Sequence, residues 1–211
     1  MLPSLAAIFF SSFVIALSGA LMPGPLFTLT VSESSRRGAK AGPLMILGHG
    51  ILELILVLAL LAGLAPFFTH DSVFVVIALA GGGILFWMAL AMLRSLPTLR
   101  LHFDAGPEKQ RNLILAGIIC SIANPYWLIW WATIGLGYIM HSVKFGPAGV
   151  ASFFCGHILA DLAWYSLISL GLARGKRFLS DKLYRGLIGS CASLLLLFAC
   201  YFFYSGLQKL V

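Results

Sequence analysis

The sequence predicts an all-α integral membrane protein of six transmembrane helices. They form two inverted three-helix repeats, with helices 1 and 4 broken at proline-containing motifs and both termini on the outer side. Three observations carry this. Of the 211 residues 60% are apolar and only 10% charged, with mean hydropathy +0.99, where a soluble domain has about half and a quarter. Six apolar runs each suffice for the roughly 20 residues that cross a hydrocarbon layer about 30 Å thick. A short motif recurs at a fixed offset of three runs, an odd number, from the second run to the fifth.

This composition excludes a soluble enzyme domain, a disordered tail and a disulfide-stapled secreted module. The net charge of +7 does not point to nucleic acid, because the cations lie in short loops between apolar runs. Cys120, Cys155, Cys191 and Cys200 lie within apolar runs, without CxxC or Cys/His spacing, and read as small packing residues.

The runs lie near 4–35, 41–66, 72–93, 112–140, 147–173 and 186–207. The first and fourth are long for one straight span and contain Pro23-Gly24-Pro25 and Asn124-Pro125. Proline lacks the amide donor and clashes with the preceding turn, so both helices should kink or stop there. No Lys or Arg precedes Arg36, so residues 1–22 lack the charged start of a signal peptide and read as part of the first span.

The loop after span one holds Arg36, Arg37 and Lys40, and that after span three holds Arg94, Arg100, Lys109 and Arg111. The loop after span five holds Arg174, Lys176, Arg177, Lys182 and Arg185. Twelve of the 14 cations thus fall on one side, leaving Lys144 and Lys209 on the other. By the positive-inside rule the basic loops are cytoplasmic and both termini face out. The chain reads as one membrane domain, 1–211, with repeat 1 at 1–95, a cytoplasmic linker at 96–111 and repeat 2 at 112–211.

Gly48-His49-Gly50-Ile51-Leu52-Glu53-Leu54 reappears 108 residues on as Gly156-His157-Ile158-Leu159-Ala160-Asp161-Leu162, and Gly63-Leu64-Ala65 as Gly171-Leu172-Ala173. The copies lie in the second and fifth spans, an offset of three, so the second lies upside down relative to the first. Inverted repeats with interrupted helices characterise many secondary transporters, whose substrate sites lie near the midplane at the breaks.

Of the seven carboxylates, Glu53 and Asp161 alone lie deep within spans, each with a His four residues earlier on the same helical face. A charge at the bilayer centre costs at least about 2.5–3.5 kcal/mol on insertion scales, so each should face the bundle and find a partner. Three readings follow. The pairs His49–Glu53 and His157–Asp161 can be structural ties, can hold and pass protons because imidazole titrates near neutral pH, or can together ligate a divalent transition metal.

Pro23, Gly24, Pro25, Asn124 and Pro125 are candidates for substrate binding. A break exposes backbone groups, glycine admits a ligand close to the chain, and half-helix N-termini favour an anion. The alternative is a kink that only shapes packing. Trp127, Trp130 and Trp131 either line this site or anchor at the interface. Gly81-Gly82-Gly83 lacks a following GK[ST] and reads as close helix packing. Glu33, with Ser34 and Ser35, reads as a solvated helix end. Gly135/Gly137 and Gly186/Gly189 serve intrachain packing or a homo-oligomer. No nucleophile–base constellation or cofactor motif is present, so neither an enzyme nor a cofactor is expected.

Pro23-Gly24-Pro25 followed by Arg36-Arg37-Gly38 and Ala41-Gly42 resembles the signature of the LysE/RhtB family of amino-acid exporters. Asn124-Pro125 matches that family's second-half motif, and the stretch from Gly156 through Asp161 and Trp164 to the last span is similar as well. The resemblance covers essentially the whole chain. It implies a secondary exporter of amino acids or close derivatives in the cytoplasmic membrane of a prokaryote, exchanging them for protons. The sequence departs from the family at Leu26, where Pro-Gly-Pro-Asn is common, and at His49 and Glu53, since the family more often has an acidic residue only at the position like Asp161. The wider superfamily includes exporters of cadmium and other divalent cations, which implies the alternative of a metal-ion exporter using His49, Glu53, His157 and Asp161.

Overall fold

The computed structural model describes residues 2–22, 24–68, 70–99, 112–175 and 180–209. Pro23, positions 100–111 of the predicted linker (with Arg100, Lys109 and Arg111), and Lys176 and Arg177 lie outside the described residues. Among the described residues the secondary structure is helical, with no strand.

The chain runs as α1 (Leu2–Ala20), α2 (Pro25–Arg37), α3 (Ala41–Ala59), α4 (Ala65–Phe68), α5 (Asp71–Ser95), α6 (Leu113–Ile122), α7 (Pro125–Trp130), α8 (Leu136–Val143), α9 (Gly146–Gly175) and α10 (Asp181–Gln208). Single π turns at Leu60–Leu64 and Trp131–Gly135 join α3 to α4 and α7 to α8. Among the described residues four continuous helical stretches are long and apolar enough to cross a membrane, and up to six if each bent pair is one span.

The two bent pairs fall at the predicted breaks. The stretch Ser4–Ala20 meets α2 at 82°, and α6 meets the stretch Pro25's counterpart opens, Pro125–Val143, at 66°. Pro25 and Pro125 each occupy the first turn of the restarted helix, where a missing N–H costs nothing. Asn124 caps the second restart, its Oδ1 accepting from the Tyr126 N–H at 3.2 Å. Gly24 sits at the equivalent place before α2 and offers no side-chain cap.

The outside of this bundle is apolar and its inside partly polar, the inverse of a soluble protein. Phe10, Val14, Val76, Trp87 and Leu197 are among the exposed residues, while Ser12, Thr30, His49, Glu53, Ser121, His157, Asp161 and Ser169 are buried. A surface of this kind faces lipid. Polar groups inside tie distant segments together: Ser12 Oγ donates to the Phe153 carbonyl at 2.7 Å, and Ser34 Oγ donates to Ser169 Oγ at 2.9 Å.

The first glycine of each motif copy has a packing role. A Cβ on Gly48 would run into the Ile114 carbonyl of α6, and one on Gly156 into the Phe9 carbonyl of α1. Each glycine therefore lets a half-helix lie against the helix that carries a His–carboxylate pair. Gly81 packs on Ile129 and Gly82 on the Ala199 carbonyl, as close helix packing requires.

Two expectations are corrected. The Gly-Leu-Ala ends of the motif are not structurally equivalent: Gly63 has φ 115° inside a kink, a conformation that favours glycine, whereas Gly171 lies within the regular helix α9. Glu33 is not a solvated helix end. It is 3% exposed, its Oε2 2.8 Å from Arg37 Nε, because the bend after α1 turns α2 inward against α3 and α9.

The variant Gly48→Ala is expected to lower stability by about 1–3 kcal/mol, the usual effect of overpacking. The comparison is Gly137→Ala, where an added Cβ meets nothing within 4 Å. Thermal midpoints of the detergent-solubilised variants check this, and equal midpoints would show that α3 and α6 are not in such close contact.

Candidate functional site

The motif residues meet. His49 and Glu53 project from α3, and His157 and Asp161 from α9, each pair one helical turn apart. One ligand atom from each of the four lies within 4.8 Å of all the others. The closest approaches close a ring: His49 Nε2 to Glu53 Oε1 at 3.1 Å, Glu53 Oε2 to His157 Nε2 at 2.9 Å, His157 Nε2 to Asp161 Oδ2 at 3.4 Å, and Asp161 Oδ2 to His49 Nε2 at 3.9 Å. None of the four is more than 7% exposed.

Surrounding elements fix two of these side chains. Glu53 Oε1 accepts from Trp131 Nε1 at 2.7 Å and from Trp127 Nε1 at 3.0 Å. Trp127 and Trp131 lie either side of the end of α7, and the π turn that starts at Trp131 sets the direction of that indole. Ser121 Oγ donates to the Gly117 carbonyl at 2.7 Å and stands 2.7 Å from His49 Nδ1. With its only proton committed to Gly117, Ser121 accepts from the Nδ1–H, so the Nε2 of His49 is the nitrogen presented to the ring.

His157 has no such support. Its ring packs against Trp130 at 4.8 Å, Trp131 at 5.4 Å and Phe153 at 5.9 Å between centroids. Neither of its nitrogens has a hydrogen-bond partner, and the same holds for Glu53 Oε2 and Asp161 Oδ2. Their short mutual approaches lie outside the angular range of hydrogen bonds, so these atoms point toward a shared space instead of at one another.

That space is part of a cavity of about 40 Å³, room for a few waters. Both breaks reach it, with Gly24 and Asn124 among its walls. A Cβ on Gly24 would come within 2.9 Å of Asn124 Nδ2, so the two breaks lie side by side. Pro25 and Pro125 set the restarts without lining the cavity, while Pro23 lies outside the described residues. Of the tryptophans, Trp127 and Trp130 line the cavity, and Trp131 is buried with its indole N–H on Glu53.

Sequence reasoning missed Ser121. Its signal was a hydroxyl in an apolar run one turn before Asn124, which does not by itself indicate which way it points. It also left open whether the tryptophans line a site near Asn124 or anchor at the interface, and did not identify their bonds to Glu53.

The family profile described as LysE type translocator matches residues 17–206, a span that contains both breaks and all four ring residues. The "Chemotactic transduction protein ChpE" of Pseudomonas aeruginosa is 27% identical over 161 residues, 75% of this chain and 78% of that one. The "Putative amino acid efflux protein YcgF" of Bacillus subtilis is 23% identical over 206 residues, 97% of this chain and 99% of that one. No solved structure matches the chain.

Trp131→Phe removes the shorter of the two donors to Glu53 while keeping an aromatic ring. It is expected to lower stability by about 1.5–3 kcal/mol, the range for a hydrogen bond to a charged group. A thermal midpoint equal to that of the unmodified protein would show that this bond does not hold the carboxylate.

Proposed function

Because the chain belongs to the LysE type translocator family, we propose that it is a multi-pass secondary transporter of the cytoplasmic membrane. It exports amino acids or close derivatives from the cytoplasm in exchange for protons. The observation that carries this reading is the meeting of both helix breaks and both His–carboxylate pairs in one buried cavity. The name of the Bacillus subtilis relative, "Putative amino acid efflux protein YcgF", supports the substrate class.

In this reading the six spans are two inverted repeats, 1–95 and 112–211, joined by a cytoplasmic linker at 96–111, with both termini outside. The bend angles at the two breaks and the matching contacts of Gly48 and Gly156 support the repeat. The loop cations support the orientation.

A zwitterionic solute has a positive end for the carboxylates of Glu53 and Asp161. Its negative end suits the start of α2, where the Leu26 and Phe27 amides have no side-chain cap. Leu26 itself lines the cavity. A cavity of 40 Å³ is too small for an amino acid, so the bundle must open to load and release it. A larger cavity of about 870 Å³ lies between α1 and α8, lined in part by Ile15 and Thr133. It is one helical turn from Gly19 and Trp130 of the central cavity, and the hydrogen bond from Trp130 Nε1 to Ser18 Oγ at 3.2 Å stands between the two. Breaking that contact would join them on the outward side.

Protons enter the scheme through the ring. With both imidazoles neutral and both carboxylates ionised it carries two negative charges, which the membrane interior tolerates only when balanced. Two protons balance them, and a solute ammonium group can replace a proton. Lipid surrounds the apolar exterior, and the open faces at Gly137 and Gly186 are available to a second copy of the chain.

The test is efflux from loaded cells or inverted vesicles across a panel of amino acids. Glu53→Gln and Asp161→Asn are each expected to reduce pH-gradient-driven efflux to background while the amount of inserted protein is unchanged. Undiminished gradient-driven export by both variants would end the proton role, and no movement of any amino acid would end the substrate assignment.

A further inference from the structure

We propose that His49, Glu53, His157 and Asp161 form a binding site for a single divalent transition-metal ion. The inference rests on the side-chain cage and not on the amino-acid reading, so either can fail without the other.

Geometry is the first argument. A tetrahedral ion bound at about 2.0–2.1 Å holds its ligand atoms about 3.3 Å apart. With Glu53 Oε2 as the carboxylate ligand, it lies 2.9 Å from His157 Nε2, which lies 3.4 Å from Asp161 Oδ2, itself 3.9 Å from His49 Nε2, and one ligand atom from each of the four residues lies within 4.8 Å of all the others. Hydrogen bonds do not explain the ring, because His157 Nε2, Glu53 Oε2 and Asp161 Oδ2 are buried, close to one another and without hydrogen-bond partners. Atoms that converge on a point without bonding one another are the arrangement that ligands adopt.

The support around the cage is the second. Metal-bound histidines usually donate their other ring N–H to a neighbouring acceptor, which fixes the tautomer. Ser121 does this for His49: it accepts from Nδ1–H and leaves the Nε2 lone pair facing the carboxylates. Such a lone pair opposite carboxylate oxygens is unfavourable unless the nitrogen is protonated or a cation lies between, and a bound ion supplies the second of these. Trp127 and Trp131 donate to Glu53 Oε1, which also lies 3.1 Å from His49 Nε2, and leave Oε2 to face His157.

Charge is the third. Two carboxylates and a dication sum to zero, which suits a cage at most 7% exposed. The ligand set of imidazole nitrogen and carboxylate oxygen, without thiolate, selects zinc, cobalt, nickel, iron or manganese over copper(I). Four protein ligands leave no open position, so the ion is held and not set up for hydrolysis.

The full-length protein, purified in detergent and stripped of metal, is titrated with Co²⁺. One equivalent is expected to bind with the visible absorption of tetrahedral cobalt, and X-ray absorption should give four nitrogen and oxygen neighbours at about 2.0 Å. His157→Ala and Asp161→Asn should each weaken binding at least about tenfold, the range in which losses at a metal site fall, while Gly137→Ala binds like the unmodified protein. Absence of binding, a shell containing sulfur, a six-coordinate all-oxygen shell, or an affinity in both cage variants equal to that of the unmodified protein would overturn the proposal. The X-ray absorption measurement needs no variant, so it decides the matter even if a substitution prevents folding.

Discussion

Four ionisable side chains enclosed in an apolar bundle set the terms for the rest of this molecule. A lone charge at the centre of a membrane costs several kcal/mol, and a second like charge beside it costs more. Glu53 and Asp161 can lie within a few ångströms of each other only if the protein surrounds them with donors and positive charge. Most of the local structure does this. The two long helices α3 and α9 carry the groups, and the shorter helices around them supply what those groups need: α6 brings Ser121, and α7 with its π turn brings two indole N–H groups.

The helix breaks make that supply possible. A continuous fourth span would run past the ring with its backbone fully occupied and its side chains on one straight path. Stopping at Ile122 places Ser121 in the last turn of α6, within reach of His49. Restarting at Pro125 under the Asn124 cap bends the chain by 66° and turns the tryptophan-rich face toward Glu53. The close helix contacts at Gly48 and Gly156 serve the same end, because any larger residue would push α6 and α1 away from the helices that bear the charged pairs. Stability and function are therefore hard to separate here: the residues that let the bundle pack are those that let the ring be neutral.

Much of this was legible in the sequence. Hydropathy located the helical stretches to within a few residues, because a lipid-facing helix must be apolar over a fixed length. Pro25 and Pro125 located the restarts because proline has one favourable place in a helix. The spacing of four put each His beside its carboxylate. What sequence does not encode is rotation about a helix axis relative to a distant neighbour, so the convergence of α3 and α9 on one ring was open until the packing was known. Ser121 and Trp131 were obscure for the same reason. Glu33 was misread because a charged residue near a helix end is ordinarily solvated, and here the bend carries that end inward. The repeated Gly-Leu-Ala misled in the other direction, since identical letters form a kink at Gly63 and plain helix at Gly171.

The two copies of the motif also differ where their chemistry matters most. On α3, His49 donates to Ser121 and Glu53 accepts from Trp127 and Trp131, so their orientation is set by hydrogen bonds within the protein. On α9, His157 is held by three aromatic faces and Asp161 by its neighbours in the ring. Aromatic packing fixes the plane of an imidazole without satisfying its nitrogens, so His157 depends on what enters the cavity in a way that His49 does not. A near-symmetric sequence has thus produced one half tied by hydrogen bonds and one half whose polar atoms lack them, which in the proposed function its load completes. A carrier requires that combination: a fully satisfied ring would have no reason to bind, and a wholly unsupported one could not stay buried.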